Sequence, residues 1–241
     1  MGKNIPSIKR LRKICQPPIK DWPWHEKLTR PISIYFTKIF LYFPISANKI
    51  TFIWGILGFS AVILLSFGYY WLTITAVALF FLVWILDCVD GEIARYRGTT
   101  SECGAYLDVL FHCLVDSLVF VALSFGIYNN YHNSEIFLFG SLAALSLLWR
   151  QIILQDKDWK GMRNLIIKKQ HEQKGFLVRL AHRIPRGLWG HEAWTWLILA
   201  GVLLDFIYFI VVAYGIFLPI YALIETIIHY RIKCKTLDNK G

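Results

Sequence analysis

Residues 87–112 read DCVDGEIARYRGTTSECGAYLDVLFH and lie between two long apolar segments. Asp87 and Asp90 are three residues apart and therefore share one face of a helix. Asp108 follows in the next apolar segment, four residues after Gly104. Carboxylates beside hydrocarbon are costly unless something compensates their charge. Two antiparallel helices joined by the intervening polar turn would bring the three carboxylates together, as a site for divalent cations and phosphate groups.

The composition predicts an all-α integral membrane protein. Hydrophobic residues make up 56% of the 241 residues and charged residues only 17%, whereas soluble domains carry about 25% charged residues. The apolar runs approach the roughly 20 residues that a helix needs to cross a bilayer. We predict six transmembrane helices, over about residues 48–66, 70 to beyond 93, 104–128, 136–154, and two within 194–230 with a turn near Leu204-Asp205.

The remaining segments complete the predicted domain organisation. Residues 1–47 form a basic leader, expected to be irregular up to residue 30, and an amphipathic segment. Its part 31–43 is too short to cross and predicts an interfacial helix on the cytoplasmic leaflet. Residues 48–232 form the six-helix catalytic domain, and 233–241 a cytoplasmic tail. The long basic loop 155–192 is expected to lie on the membrane as an amphipathic helix.

Charge distribution predicts the orientation. None of the 26 Lys and Arg residues falls in the loops near 67–71, 129–135 and 204–206. Under the positive-inside rule, both termini and the acidic site then face the cytoplasm, across the cytoplasmic membrane if the cell is prokaryotic. The same asymmetry accounts for the net charge of +10 without a nucleic-acid partner.

The residue types around the carboxylates favour phosphate chemistry. Oxygen-rich clusters suit hard cations such as Mg²⁺ or Mn²⁺, and two such ions can clamp a pyrophosphate. Gly91, Ala94 and Gly104 lack bulk and let a ligand come close. Arg95 offers a planar guanidinium with bidentate phosphate geometry. His112, four residues after Asp108, adds an imidazole to the same helix face.

This pattern resembles the signature of the CDP-alcohol phosphotransferase family, class I. That signature has two Asp three apart, Gly, Ala-Arg, eight residues, Gly, and two further Asp at four-residue intervals. The chain departs at the last position, where His112 replaces the fourth Asp. The segment SANKIT also resembles the family's Pro-Asn-x-x-Thr motif: Asn48 and Thr51 match, and Ala47 replaces the proline.

The resemblance implies transfer of a phosphate-linked group from CDP-diacylglycerol or a CDP-alcohol to an alcohol or phosphorylated alcohol, with release of CMP. This chemistry belongs to phospholipid or related phosphodiester biosynthesis and uses two Mg²⁺ or Mn²⁺ ions. Homodimerisation is usual in that family, and the sequence does not test it. By position, the metal ligands would be Asp87, Asp90, Asp108 and His112. The substrate-binding residues would be Asn48, Gly91, Ala94, Arg95 and Gly104.

His112 leaves the catalytic step open between three interpretations. It is a general base in place of the family's fourth Asp, or it marks a site that binds substrates but reacts slowly, or it only packs. The first makes Asp108, His112 and Asp116 the catalytic set, because Asp116 lies one turn further on and would orient the imidazole. Two other functions remain as alternatives: a Mg²⁺-dependent membrane prenyltransferase, and a cation transporter that uses intramembrane carboxylates.

Overall fold

The computed structural model of the protein describes residues 5–18, 26–155 and 191–238. Within these ranges the chain is all-helical, as predicted. We number the eight helices of these ranges in chain order: α1 Ile8–Cys15, α2 Glu26–Phe40, α3 Ala47–Ser66, α4 Tyr70–Arg97, α5 Glu102–Tyr131, α6 Ile136–Gln155, α7 His191–Leu203 and α8 Ile207–Asp238.

Five helices of the described residues are long and apolar enough to cross a membrane: α3, α4, α5, α6 and α8. Their ends lie within a few residues of the predicted spans, except that α8 continues to Asp238, and the turn at Leu204-Asp205 is present, with Asp205 at φ 58°. The predicted fifth span corresponds to α7, whose apolar part covers Ala193–Leu203. Thirteen residues rise roughly 20 Å, less than the ~30 Å of a hydrocarbon core. Six spans are therefore not confirmed.

The N-terminal segment is more ordered than predicted. Residues 8–15 form α1, although we expected an irregular leader. The error arose because the basic residues hide an apolar spacing, in which Leu11 and Cys15 share one face and are fully buried. The predicted interfacial segment 31–43 becomes α2, which begins at Glu26 and ends at Phe40. Most of the predicted amphipathic loop 155–192 lies outside the described residues.

The chain divides into two compact units. The first comprises Met1–Leu64 and Trp71–Val115 and contains the acidic motif. Its core joins α1 and α2 to α3 and α4 through a buried apolar cluster: Leu11, Cys15, Ile34, Leu41, Ala47, Ile50, Trp54, Val83, Leu86, Val89 and Ile93. The leader is therefore part of the packed core of this unit.

A short turn joins the two motif helices. Gly98, at φ 64°, ends α4 in the left-handed conformation that glycine adopts without strain. The N–H of Gly98 donates to the carbonyl of Arg95, and the N–H of Thr99 to that of Ala94 at 2.9 Å, the Schellman pattern of helix ends. Ser101 then caps α5 by accepting a hydrogen bond from the Gly104 N–H at 3.0 Å. These local signals place the two halves of the motif side by side.

The second unit comprises Leu65–Tyr70 and Asp116–Gly241. Within it α8 packs against α6, and Gly215 lets the two backbones approach. A Cβ atom on Gly215 would lie 2.6 Å from the Phe139 carbonyl oxygen. Further along the same two helices, Arg150 Nε and Glu225 Oε2 form an ion pair at 3.2 Å. Small residues at such crossings are typical of membrane helix packing.

The α6–α8 crossing yields a stability prediction. Gly215→Leu places a side chain where backbone atoms already lie, so we expect a loss of about 1–3 kcal/mol and a lower unfolding midpoint in detergent. Ile216→Leu is the control, because Ile216 is exposed and should change the midpoint little. Equal midpoints for the two variants would contradict the close approach.

Candidate active site

The motif residues line a pocket of about 190 Å³ in the first unit. The first turn of α3, the last turns of α4, the connecting turn and the first turns of α5 form its wall. The wall contains all five predicted substrate-binding residues, together with Asp90 and Asp108. Its lining is Ala47, Asn48, Thr51, Asp90, Gly91, Ala94, Arg95, Thr99, Thr100, Ser101, Gly104, Ala105 and Asp108.

Asp87, Asp108 and His112 form a compact cluster. Each offers one ligand atom, and these atoms all lie within 4.8 Å of one another. Nε2 of His112 is 3.3 Å from Oδ1 of Asp87 and 3.7 Å from Oδ1 of Asp108. The turn between α4 and α5 thus brings together three of the four predicted metal ligands, one of them the histidine that departs from the family signature.

This cluster fits a divalent cation. Donor atoms that share an ion at about 2.0–2.2 Å stand roughly 3.0–3.5 Å apart, close to the spacings of the His112 nitrogen from the two carboxylate oxygens. In addition, Oδ1 of Asp108 is buried and accepts no hydrogen bond from the residues that the structure describes, with His112 Nε2 at 3.7 Å. A buried polar atom without a partner is costly, and a cation would satisfy it.

Asp90 is held differently from the other carboxylates. Its Oδ2 accepts hydrogen bonds from Thr51 Oγ1 at 2.6 Å and from the Trp54 indole Nε1 at 2.9 Å. The side chain is buried, and the charges of Asp87 and Asp108 are near enough to interact with it. Asp90 therefore lies beside the three-residue cluster, with one oxygen fixed by α3. Thr51, the last residue of the Asn-x-x-Thr match, serves here as one of the two donors.

Trp54 connects the carboxylates to the histidine. It is fully buried, and its ring lies 4.8 Å from that of His112, centroid to centroid. Phe111 packs edge-on against the same indole. It has room because residue 55 is glycine: a Cβ atom there would lie 2.5 Å from the Phe111 ring. Sequence patterns did not single out Trp54, because a tryptophan in an apolar helix carries no sign that its N–H meets a carboxylate.

Three small residues of the predicted motif form part of the pocket wall: Gly91, Ala94 and Gly104. The guanidinium of Arg95 folds back over Gly91, so that a Cβ atom on that glycine would meet Nη1 at 3.2 Å. A Cβ atom on Gly104 would lie 3.1 Å from Oδ1 of Asn48. The two glycines therefore let the Arg95 guanidinium and the Asn48 side chain approach the helix backbones closely, and Ala94 adds little bulk to the same wall.

A sequence model of the CDP-alcohol phosphatidyltransferase family matches residues 44–221, well over half of the chain. The chain belongs to this family. Among curated proteins, no sequence matches it significantly.

A CDP-alcohol phosphatidyltransferase moves a phosphate-linked alcohol group from a CDP-activated donor, and this one is a membrane enzyme of phospholipid biosynthesis. Membership selects the transferase over the prenyltransferase and transporter alternatives. The family is typically metal-dependent, which agrees with the fit of the cluster at Asp87, Asp108 and His112 to a cation.

Two further acidic residues of the phosphatidyltransferase, Asp116 and Glu92, lie outside this cluster. Asp116 lies one turn beyond His112 on α5 and is partly buried, and its role in orienting the imidazole stays a prediction. Glu92, which the sequence reasoning passed over, is fully buried. Its position in the sequence could have indicated this separate role, because a residue two places after Asp90 in a helix points away from the face that carries Asp87 and Asp90.

The anchoring of Asp90 yields a prediction. Trp54→Phe keeps an aromatic ring against His112 but removes the indole donor, so we expect Mn²⁺ affinity to fall about tenfold, as loss of an outer-shell hydrogen bond typically does. Isothermal titration of the purified enzyme measures this. Trp71→Phe is the matched control, because Trp71 is 76% exposed. Unchanged Mn²⁺ affinity in Trp54→Phe would mean that Asp90 does not need this donor.

Proposed function

We propose that the pocket beside the Asp87–Asp108–His112 cluster holds the cytidine diphosphate of the donor. The small residues Gly91, Ala94 and Gly104 leave room for it. The first turn of α5 opens onto the pocket, and helix N-termini favour phosphate groups. This arrangement, with a cation-binding cluster at the edge of an open small-residue pocket, is the observation that carries the proposal. The donor is CDP-diacylglycerol or a CDP-alcohol, and the acceptor is an alcohol or phosphorylated alcohol.

We further propose that Asp87, Asp90, Asp108 and His112 hold Mg²⁺ or Mn²⁺, in two sites as is usual for this family. Divalent ions bound there would supply positive charge to the oxygens of the diphosphate. The carboxylates fix those ions against the pocket, and Arg95 adds a permanent charge that forms bidentate contacts with phosphate. Phosphoryl transfer depends mainly on such positioning and electrostatics.

Two chemical roles are open to the His112 imidazole: metal ligand and general base. The proximity of Nε2 to Asp87 and Asp108 supports metal ligation through that nitrogen. One of the three interpretations drawn from the sequence makes His112 a general base, which takes the proton of the acceptor hydroxyl and is oriented by Asp116. An imidazole nitrogen bound to a cation cannot accept that proton, so one nitrogen does not serve both roles. Ligation is the role we propose, with the base as the alternative.

The membrane arrangement that we propose keeps the predicted orientation. The α4–α5 turn, both termini and the pocket would face the cytoplasm, and α7 would be one of six spans. The exposed face of α2 is apolar, with Leu28, Ile32, Tyr35 and Ile39 on it. Such a face is suited to the lipid of the cytoplasmic leaflet. Homodimerisation, usual in the family, is part of the same proposal.

An acceptor panel tests the function. Purified enzyme, Mn²⁺ and CDP-diacylglycerol are incubated with glycerol phosphate, inositol phosphate, serine and amino alcohols, and mass spectrometry follows CMP and lipid products. We expect CMP to appear with one acceptor only. The matched control is Asp108→Asn, which keeps the shape of the side chain and should abolish both products. CMP formation that does not depend on Asp108 would contradict the assigned site.

His112 variants separate ligation from base catalysis. If Nε2 ligates metal, His112→Ala weakens Mn²⁺ affinity and recovers turnover when Mn²⁺ is raised. His112→Asp, which supplies an oxygen ligand in place of the imidazole, then raises the affinity for Mg²⁺ relative to that for Mn²⁺, because Mg²⁺ prefers oxygen ligands and imidazole suits softer metals. A base would instead show wild-type Mn²⁺ affinity with turnover about 10²–10⁴-fold lower in His112→Ala. That pattern would refute ligation.

A further inference from the structure

The buried carboxylate of Glu92 joins the N-terminal helices to α4. Its Oε1 accepts hydrogen bonds from Gln16 Nε2 at 2.7 Å and Ser33 Oγ at 2.6 Å, and its Oε2 accepts one from Thr37 Oγ1 at 2.5 Å. All three donors precede residue 44, where the family match begins.

Arg95 is held by the same part of the leader. It lies three residues after Glu92, on the same side of α4. Its Nε donates a hydrogen bond to the Cys15 carbonyl at the end of α1, while Nη1 and Nη2 lie over Gly91 in the pocket wall. The leader therefore fixes one edge of the guanidinium and leaves the other edge at the pocket.

Adjacent residues of the leader make both contacts. Cys15 contacts Arg95, and Gln16 contacts Glu92 while also donating to the Arg30 carbonyl at 2.8 Å. The Cys15 thiol reports the same proximity: burial raises its pKa to about 11, the Glu92 charge raises it as well, and the Arg95 charge lowers it. We call the contacts of Cys15, Gln16, Ser33 and Thr37 with Glu92 and Arg95 the N-terminal clasp.

We propose that Gln16 and Glu92 are positioning residues for Arg95, and that the N-terminal clasp sets the guanidinium in place for the phosphates of the donor. This inference rests on the proposed donor pocket. A long side chain that is ordered in advance loses less freedom when the ligand binds, so its contribution to affinity is larger. Releasing the clasp should therefore weaken donor binding more than it slows the chemical step.

Kinetics of two full-length variants test the proposal. Gln16→Ala removes one donor to Glu92, and Glu92→Gln keeps the shape of the side chain but removes its charge. We expect each to raise the KM for CDP-diacylglycerol and the Kd for CDP about tenfold, the scale of one hydrogen bond to a charged group, with kcat changed less than about twofold.

A double-mutant cycle distinguishes positioning from a structural role. In an Arg95→Ala background, Gln16→Ala should no longer change the Kd for CDP, because the residue through which it acts is gone. Arg12→Gln is the matched control: it removes an α1–α2 contact, from Arg12 Nη2 to the Pro31 carbonyl at 3.4 Å, and should leave the Kd for CDP as in wild type. Additive effects of Gln16→Ala and Arg95→Ala would overturn the proposal.

Thiol labelling reports whether the clasp is closed. Cys15 is buried and Cys103 is exposed, so maleimide should label Cys103 readily and Cys15 slowly in wild type. Faster labelling of Cys15 in Glu92→Gln, with Cys103 unchanged, is expected. Unchanged Cys15 labelling would show that the Glu92 hydrogen bonds do not hold α1 on α4 and would overturn the proposal. If the wild-type protein bound no CDP, the assignment of the pocket to the donor would be wrong, and so would the proposed role of Arg95.

Discussion

Hydrogen bonds to two buried carboxylates on opposite faces of α4 organise the first unit. Asp90 is held by donors from α3, and Glu92 by donors from α1 and α2. A carboxylate in such surroundings is tolerated only when donors surround it. The donors to Asp90 hold α3 against α4, and the donors to Glu92 hold the N-terminal helices against it. The packing that satisfies these charges is thus also the packing that shapes the pocket.

The sequence predicted those parts of the fold that depend on local patterns. Apolar runs located the five long helices, and the polar turn with Gly98 located the hairpin. The motif spacing also predicted that Asp87, Asp108 and His112 would meet, because helix periodicity fixes which residues share a face. The contacts of Trp54 and Glu92 could not be predicted in this way, since they join residues that are 36 to 76 positions apart in the chain.

The polar stripe of α2 shows what an amphipathic pattern alone does not reveal about the packing of a helix. Thr29, Ser33 and Thr37 recur every four residues and are buried, while the apolar side chains of Leu28, Ile32, Tyr35 and Ile39 on the same helix are exposed. An amphipathic pattern does not say which face meets the protein. In a soluble protein the apolar face of a helix packs against the protein core. Beside a membrane, the polar face can pack against the protein instead if its side chains hydrogen-bond a buried charged group. Glu92 is that group: it accepts hydrogen bonds from Ser33 and Thr37 of α2, and its place within the motif could have indicated that a polar helix face packs there.

The family match begins at residue 44, yet the pocket depends on contacts made before it. The Asp87–Asp108–His112 cluster and the small residues Gly91, Ala94 and Gly104 come from α4 and α5 alone. Arg95 is different, because its Nε is bound by a backbone carbonyl, which any residue at position 15 would supply. A main-chain contact leaves no signature in the sequence. Substrate positioning can therefore depend on a segment whose side chains vary freely, provided that its path is kept by side-chain contacts such as that of Gln16 with Glu92.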